Sequence, residues 1–465
     1  MRDFRLEFSP FTFVALQDVE IEKRVNEHST AYIKGIIRHG HALNYRDMSA
    51  ANEHLPMTIT AVNSENEKVN VFTGVVTDLS LEYVGDVVTL TAYAKSGSYL
   101  MDINRRFRTF QDSSVSYSDV LSLIGRTYSD YNHIMKITKL QELGQFTVQY
   151  WETDWAFAKR LASRLNSFVV PADTFPGTRF YFGMPHLNAH ILDDSIDYKI
   201  VHDYGASDTK LRQGLREANN ADAFCYLVRH RDIFAVGDLI KFQNMELYID
   251  RIVTTLAGQE LVHTYYLRHK QGLRTARTYN DNMIGASLDA IVLAVQRDEV
   301  QVQISGDENS EQSIVQWFPF ATVYSSHDGT GWYAMPEQGD QVRLYIADNE
   351  EKDAVVFNAL HIASEARSNP DIKSMRNKFG KEVRFTPNTL VMTNNAGMEI
   401  SIIDDEGIRV ESNKNIFIKA DGDIDITCGA GLSMLASDSV VVQQGSTSLV
   451  VDENIAFVGG ELRMQ

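Results

Sequence analysis

From Met398 the chain repeats itself every eight residues: MEISIIDD, EGIRVESN, KNIFIKAD, GDIDITCG, AGLSMLAS, DSVVVQQG, STSLVVDE and NIAFVGGE. The third and fifth places are Ile400 and Ile402, Ile408 and Val410, Ile416 and Ile418, Ile424 and Ile426, Leu432 and Met434, Val440 and Val442, Ser448 and Val450, and Ala456 and Val458. All but Ser448 and Ala456 are larger aliphatic residues, and the eighth place holds mostly turn formers such as Asp421 and Gly429. Two apolar residues spaced by two share one face of a strand, whereas a helix would space them by three or four. Each octad therefore reads as one short strand and a corner. A strand per eight residues gives too little wall for one chain to enclose a core. Three chains wound together, each giving one wall of a prism, would bring the fourteen aliphatics onto a shared axis. Burying each is worth about 1.5–3 kcal/mol, almost none of it available to a lone chain. The expectation is an obligate trimer over about residues 390–461, with a flat sheet edge or a single-chain β-helix as the alternatives.

The net charge of −18 is unevenly spread. Residues 286–365 carry 14 acidic and 3 basic residues, 366–385 carry 2 and 6, and 386–465 carry 12 and 4. An acidic C-terminal half repels nucleic acid and anionic membranes. The N-terminus, MRDFRLEFSPFTF, lacks the apolar core of a secretory signal, and no run approaches a membrane span. The expectation is cytoplasmic synthesis and folding. Cys225 and Cys428 are the only cysteines, and their separation reads as two reduced thiols.

Residues 1–95 read as β-structure, with a hairpin turn at Gly85-Asp86. Two helices follow: one in 116–131 with Ser118 as a plausible N-cap, and one in 151–170 capped by Thr153 or Asp154. The stripe of the second is Trp155, Ala158, Leu161, Ala162 and Leu165. Residues 168–270 return to strands, with 233–269 reading as a four-strand meander. Five or so short strands in 286–365 suit a small Greek-key barrel of OB type. This gives a hub region at 1–285 with a helical insert at about 116–167, an OB-type domain at 286–365, a basic linker at 366–385, and the octads within 386–465.

Four stretches in this order resemble a known family. SGSYLMDINRRFRTFQDSSVSYSDVLSLI (96–124), QYWETDWAFAKRLASRLNSFVV (149–170), MPEQGDQVRLYI (335–346) and EKDAVVFNALH (351–361) are similar to segments of VgrG-type spike proteins of contractile injection systems, the fused hub and needle of contractile phage tails. The resemblance implies a mainly β fold: a tandem β-barrel hub with a helical insert, an OB-fold neck and a C-terminal triple-stranded β-helix. It also implies a homotrimer whose base ring caps a hexameric inner tube among other baseplate proteins. The needle would end at a PAAR-type tip protein, docked on Phe457, Val458, Leu462 and Met464. The particle would drive it transiently through a target membrane on sheath contraction. Some relatives insert a lysozyme domain before the needle; here only residues 366–385 occupy that place.

Catalytic signals are weak. HLNAH (186–190) lacks the glutamate of a zinc-protease helix, and Pro185 disfavours a helix there. Asp423 and Asp425 read as solvated charge, and Glu152 and Asp154 as helix N-terminal capping. Trp317, Phe318, Phe320, Trp332 and Tyr333 could stack bases, but Arg297, Arg343 and Lys352 make no basic groove. No catalytic residue, cofactor or metal is expected, and no nucleic-acid partner. The rival reading is a polysaccharide-acting β-helical tail fibre enzyme.

Overall fold

The computed structural model describes residues 5–63, 65–137, 141–202, 204–215, 223–258, 260–361, 367–458 and 461. The chain divides into two units, Met1–His361 and Ile362–Gln465.

The first unit is built on a 12-stranded sheet. Its path runs from the edge strand Arg5–Ser9 through Pro56–Val62, Lys68–Val84, Val87–Ser96, Thr30–Ile37 and Ala15–Arg24, then on to Met245–Ala257, Glu260–Arg268, Phe224–His230 and Tyr198–His202. The two β-regions of the sequence are thus one sheet, joined where Ala15–Arg24 pairs antiparallel with Met245–Ala257. Two cores lie along it: Ile21, Ile33, Met57, Phe72 and Leu90 in one, and Phe242, Leu247, Ile249, Tyr265 and Leu267 in the other. Lys68–Val84 turns into Val87–Ser96 through Gly85-Asp86, with Gly85 at φ +58°, as the sequence predicts. The expected four-strand meander at 233–269 holds three strands. Residues 233–238 instead form a loop closed by the buried Asp238, which accepts from the Ala235 and Asn188 amides at 2.9 Å.

Four helices are seen among the described residues. Helix α1 (His39–Ala51), absent from the sequence reading, buries only Ala42 and Tyr45; so narrow a contact leaves no apolar stripe to read. Helix α2 (Tyr117–Gly125) is capped by Ser116 rather than Ser118: Ser116 accepts from the Asp119 amide at 3.1 Å and donates to the Asp119 carboxylate at 2.7 Å. This reciprocal pairing satisfies an otherwise orphaned amide. Helix α3 (Asp154–Arg164) is capped by Thr153, which accepts from the Ala156 amide. Its buried face includes Trp155, Phe157, Ala158, Leu161 and Ala162. Helix α4 (Tyr204–Arg212) follows the edge strand Tyr198–His202.

A five-stranded antiparallel sheet, ordered Phe318–Pro319, Glu299–Ile304, Ala286–Gln296, Gln341–Ile346 and Val355–Leu360, ends the first unit. A bridge between Phe320 and Val356 ties its last strand back towards its first. Phe107, Phe146 and Val148 share its core with Leu288, Val300, Val302 and Leu344. No dry boundary therefore separates it from what precedes it.

The second unit opens with an antiparallel meander of five strands: Lys373–Arg376, Glu382–Thr386, Thr389–Thr393, Met398–Ile403 and Gly407–Ser412. The strand Lys373–Arg376 and all but the last residue of Glu382–Thr386 fall in 366–385, the span the sequence reading gives to a basic linker. Glu382, Arg384 and Thr386 alternate with Val383 and Phe385 there, a strand period masked by the cluster of cations. Residues 413–439 carry no strand, but two-residue bends recur at 413–414, 421–422, 429–430 and 437–438. Three further antiparallel strands, Val440–Gln444, Thr447–Val451 and Ile455–Val458, follow.

Gly97 allows one of the close backbone approaches in the hub. A Cβ there would sit 2.1 Å from the Gly177 carbonyl oxygen. Gly97→Ala is expected to destabilise the protein by roughly 1–3 kcal/mol, read as a lower midpoint in denaturant unfolding.

Candidate functional site

The octad face is a surface the lone chain leaves uncovered. In the meander, cross-strand register aligns Val383, Met392, Ile400 and Val410 on one rung, and Phe385, Leu390, Ile402 and Ile408 on the next. Side chains in such rungs stand on the same face. Ile400, Ile402, Ile408 and Val410 are exposed, as are Phe385 and Met392. Between two of these isoleucines, Ser401 is buried, with its hydroxyl unpartnered. Its cross-strand partner Val391 is buried with it, while the aliphatics of the two flanking rungs face out.

Further along, Ile416, Ile418, Ile424, Ile426, Leu432 and Met434 have neither cover nor strand partners. From Ile400 to Met434, exposure of the octad aliphatics runs from 46 % at Ile402 to 78 % at Ile418. Val442 and Val458 are exposed, while Val440 and Val450 are half-buried within the last three strands. The bends fall on the eighth and first octad places, so the corners sit where the repeat predicts. The sequence reading missed that the face begins earlier, at Val383 and Phe385. Their strand alternation was the available signal.

Of the proposed tip-docking residues, Val458 is exposed and Phe457 lies on the last strand. Leu462 and Met464 lie outside the described residues.

The second feature is a buried ion network around helix α3. Glu152 and Asp154 are not solvent-facing caps. Asp154 is fully buried and meets the Arg108 guanidinium at 2.6 Å, the Tyr128 hydroxyl at 2.5 Å and the Gln149 amide at 2.8 Å. Arg160 lies 2.5 Å from Glu152 and 2.7 Å from Glu351, and Arg164 lies 2.8 Å from the same Glu351 oxygen. Glu351 follows the strand Gln341–Ile346, so the network fastens α3 to the five-stranded sheet. Burial alone would raise the Glu351 carboxyl, but Arg160 and Arg164 outweigh it and hold it below the usual range. Glu152 is held above that range, because burial outweighs Arg160 there. This clasp escaped the sequence reading because its partners lie about 190 positions apart.

The two histidines of HLNAH do not converge on a metal. His190 lies on the strand Ala189–Ile191, with Nε2 3.1 Å from Asp238 and its ring stacked on Phe234 at 4.2 Å. His186 sits at φ +47° beside Tyr248. No group of metal-ligating side chains occurs among the described residues. Both cysteines are free, Cys225 buried and Cys428 exposed.

Comparison with known proteins places this geometry. Residues 49–170 match the phage tail baseplate hub (GPD) family, a span that includes Gly97 and helix α3. An Escherichia coli protein is similar over 77 % of this chain and 100 % of its own, with TM-score 0.54 and 13 % identity. It is described as a component of the type VI secretion system, with structural similarity to the bacteriophage T4 tail proteins gp27 and gp5. A Francisella PdpA–VgrG complex chain is similar over 88 % of each chain, with TM-score 0.55 and 9 % identity. A second form of that complex matches over 86 % of this chain and 76 % of its own, with TM-score 0.55 and 11 % identity. No curated protein matches the chain. The fold is thus that of baseplate hubs and VgrG spikes, as the four sequence stretches imply. The family match is confined to residues 49–170, and the likeness to these solved structures is one of fold.

Glu351→Gln leaves two guanidinium groups facing a neutral amide, and is expected to lower unfolding free energy by about 3–5 kcal/mol in denaturant titration. His263 is buried, its Nε2 unpartnered, with Nδ1 2.7 Å from Thr254. Burial, with Lys23 and His230 adding to it, depresses its pKa from 6.5 to about 4. The unfolded chain therefore binds the proton first as pH falls, and stability is lost between about pH 6.5 and 4. Melting temperature should fall more gently across that window in His263→Phe.

Proposed function

We propose that the protein is a homotrimeric spike and baseplate hub of a contractile injection particle. The observation that carries this reading is the uncovered octad face: aliphatics at the third and fifth places of nearly every octad, exposed in a chain whose corners already recur every eight residues. Two sister copies would supply the missing walls, turning exposed rungs into an axial core and giving the unpaired segments between corners their strand partners. In this reading the fourteen aliphatics, Ile400 to Val458, are the trimer core. The 12-stranded hub sheets of three copies would form a base ring over a hexameric inner tube. The five-stranded sheet, read as an OB domain, would form the neck. The exposed end at Val458, with Phe457, Leu462 and Met464, would receive a PAAR-type tip protein.

Function in this reading is mechanical. Sheath contraction would push tube and spike through a target envelope, and a prism with paired backbone and an apolar axis resists compression. The Arg160–Glu351–Arg164 clasp, drawn tight within the first unit, suits a part that must transmit load without unfolding locally. The protein would be a component of the particle, leaving it on firing.

Native mass measurement should find about three times the 52.5 kDa chain mass. Ile424→Asp puts a charge on the proposed axis and should shift the mass towards the single chain. A folded, protease-resistant monomer would overturn the reading.

A further inference from the structure

The connection between the strands Phe318–Pro319 and Gln341–Ile346 is an arm that its own chain leaves bare. Residues 321–334 are all exposed. Among them are Val323 at 89 %, Tyr324 at 53 %, Trp332 at 58 % and Tyr333 at 73 %. The arm is nevertheless ordered as a ribbon. Ser325 and Gly331 form an antiparallel bridge, the Trp332 amide donates to the Tyr324 carbonyl at 2.9 Å, and the Ser326 amide donates to the Thr330 carbonyl at 2.8 Å. Gly329 and Gly331, at φ +84° and +145°, supply the turn conformations. At the base, the Tyr333 hydroxyl donates to the Arg297 carbonyl at 3.2 Å.

That register sets Tyr324 opposite Trp332 on one face of the ribbon, and Val323 opposite Tyr333 on the other. A sugar or base platform needs one aromatic face; this ribbon has apolar groups on both. Residues 321–336 contain no lysine or arginine, which disfavours phosphate. Tyrosine and tryptophan set among serine and glycine are the chemistry of protein-binding loops, where rigid aromatics anchor and small polar residues adapt. An isolated two-stranded ribbon is marginal in water, so a seat on another protein would complete it.

We propose that the arm seats on a second copy of this chain, an inference that rests on the trimeric reading above. Charge points to this occupant. Residues 286–365 carry a net −11, yet 321–334 contain a single carboxylate, Asp328. An arm with one carboxylate can approach an equally acidic copy with little like-charge repulsion. Threefold association is heterologous, so the arm of one copy meets a different surface of the next, and no self-complementary patch is required.

The test uses the full chain carrying Cys428→Ser, which leaves only the buried Cys225. Trp332→Cys is compared with Asp86→Cys, placed at an exposed hairpin turn, by maleimide labelling and native mass. The expected result is a trimer in which the thiol at position 332 labels on the order of tenfold more slowly than the one at 86. In a second variant, Tyr324→Ser with Tyr333→Ser, exchange between isotopically light and heavy trimers should run about tenfold faster than in the parent. A trimer with equal labelling at both positions and unchanged exchange overturns the arm and leaves the trimer standing. Equal labelling that slows only when peptidoglycan fragments are added overturns it in favour of a glycan. A chain that runs as a monomer removes both readings.

Discussion

The governing constraint is that an octapeptide strand cannot bury its own apolar face. Ile416, Ile418, Ile424 and Ile426 stand exposed because eight residues give one wall and a corner, while a core needs several walls. Each uncovered aliphatic forgoes about 1.5–3 kcal/mol. On the trimeric reading, that uncovered surface is what would drive association. Ser401, buried with its hydroxyl unpaired between two exposed isoleucines, shows the same incompleteness from the other side.

The first unit solves the opposite problem. There, burial is complete enough to accommodate charge. Asp154, Arg160 and Glu351 are all held inside, each with partners within 2.8 Å. Buried ion pairs of this kind add little net stability over an apolar core, but removing one partner is expensive. They fix a geometry rather than deepen a well. That suits the place they occupy, where α3 and the five-stranded sheet meet and Phe107, Phe146 and Val148 cross into the same core.

What the sequence made legible follows from the range of the interactions. The octad period, the Gly85-Asp86 turn and the stripe of α3 are local patterns, written within a few residues of one another. Helix α1 was hidden because only Ala42 and Tyr45 are buried, so its packing left no period. The strands within 366–385 were hidden because lysine and arginine dominate the composition while Val383 and Phe385 carry the alternation. The Glu351 clasp and the pairing of Ala15–Arg24 with Met245–Ala257 join residues some two hundred positions apart, and no local window holds both partners. Even so, four short stretches in the right order pointed to the hub and spike fold.

The evenly spaced bends have a consequence for how such a chain can vary in length. Because corners recur at 413–414, 421–422, 429–430 and 437–438, one octad is a self-contained module. Duplicating or excising a whole octad keeps each downstream aliphatic in phase with the corners. A gain or loss of any other number throws the downstream residues out of step. Wound into the proposed trimeric prism, the octads would make its length change only in whole divisions of eight residues.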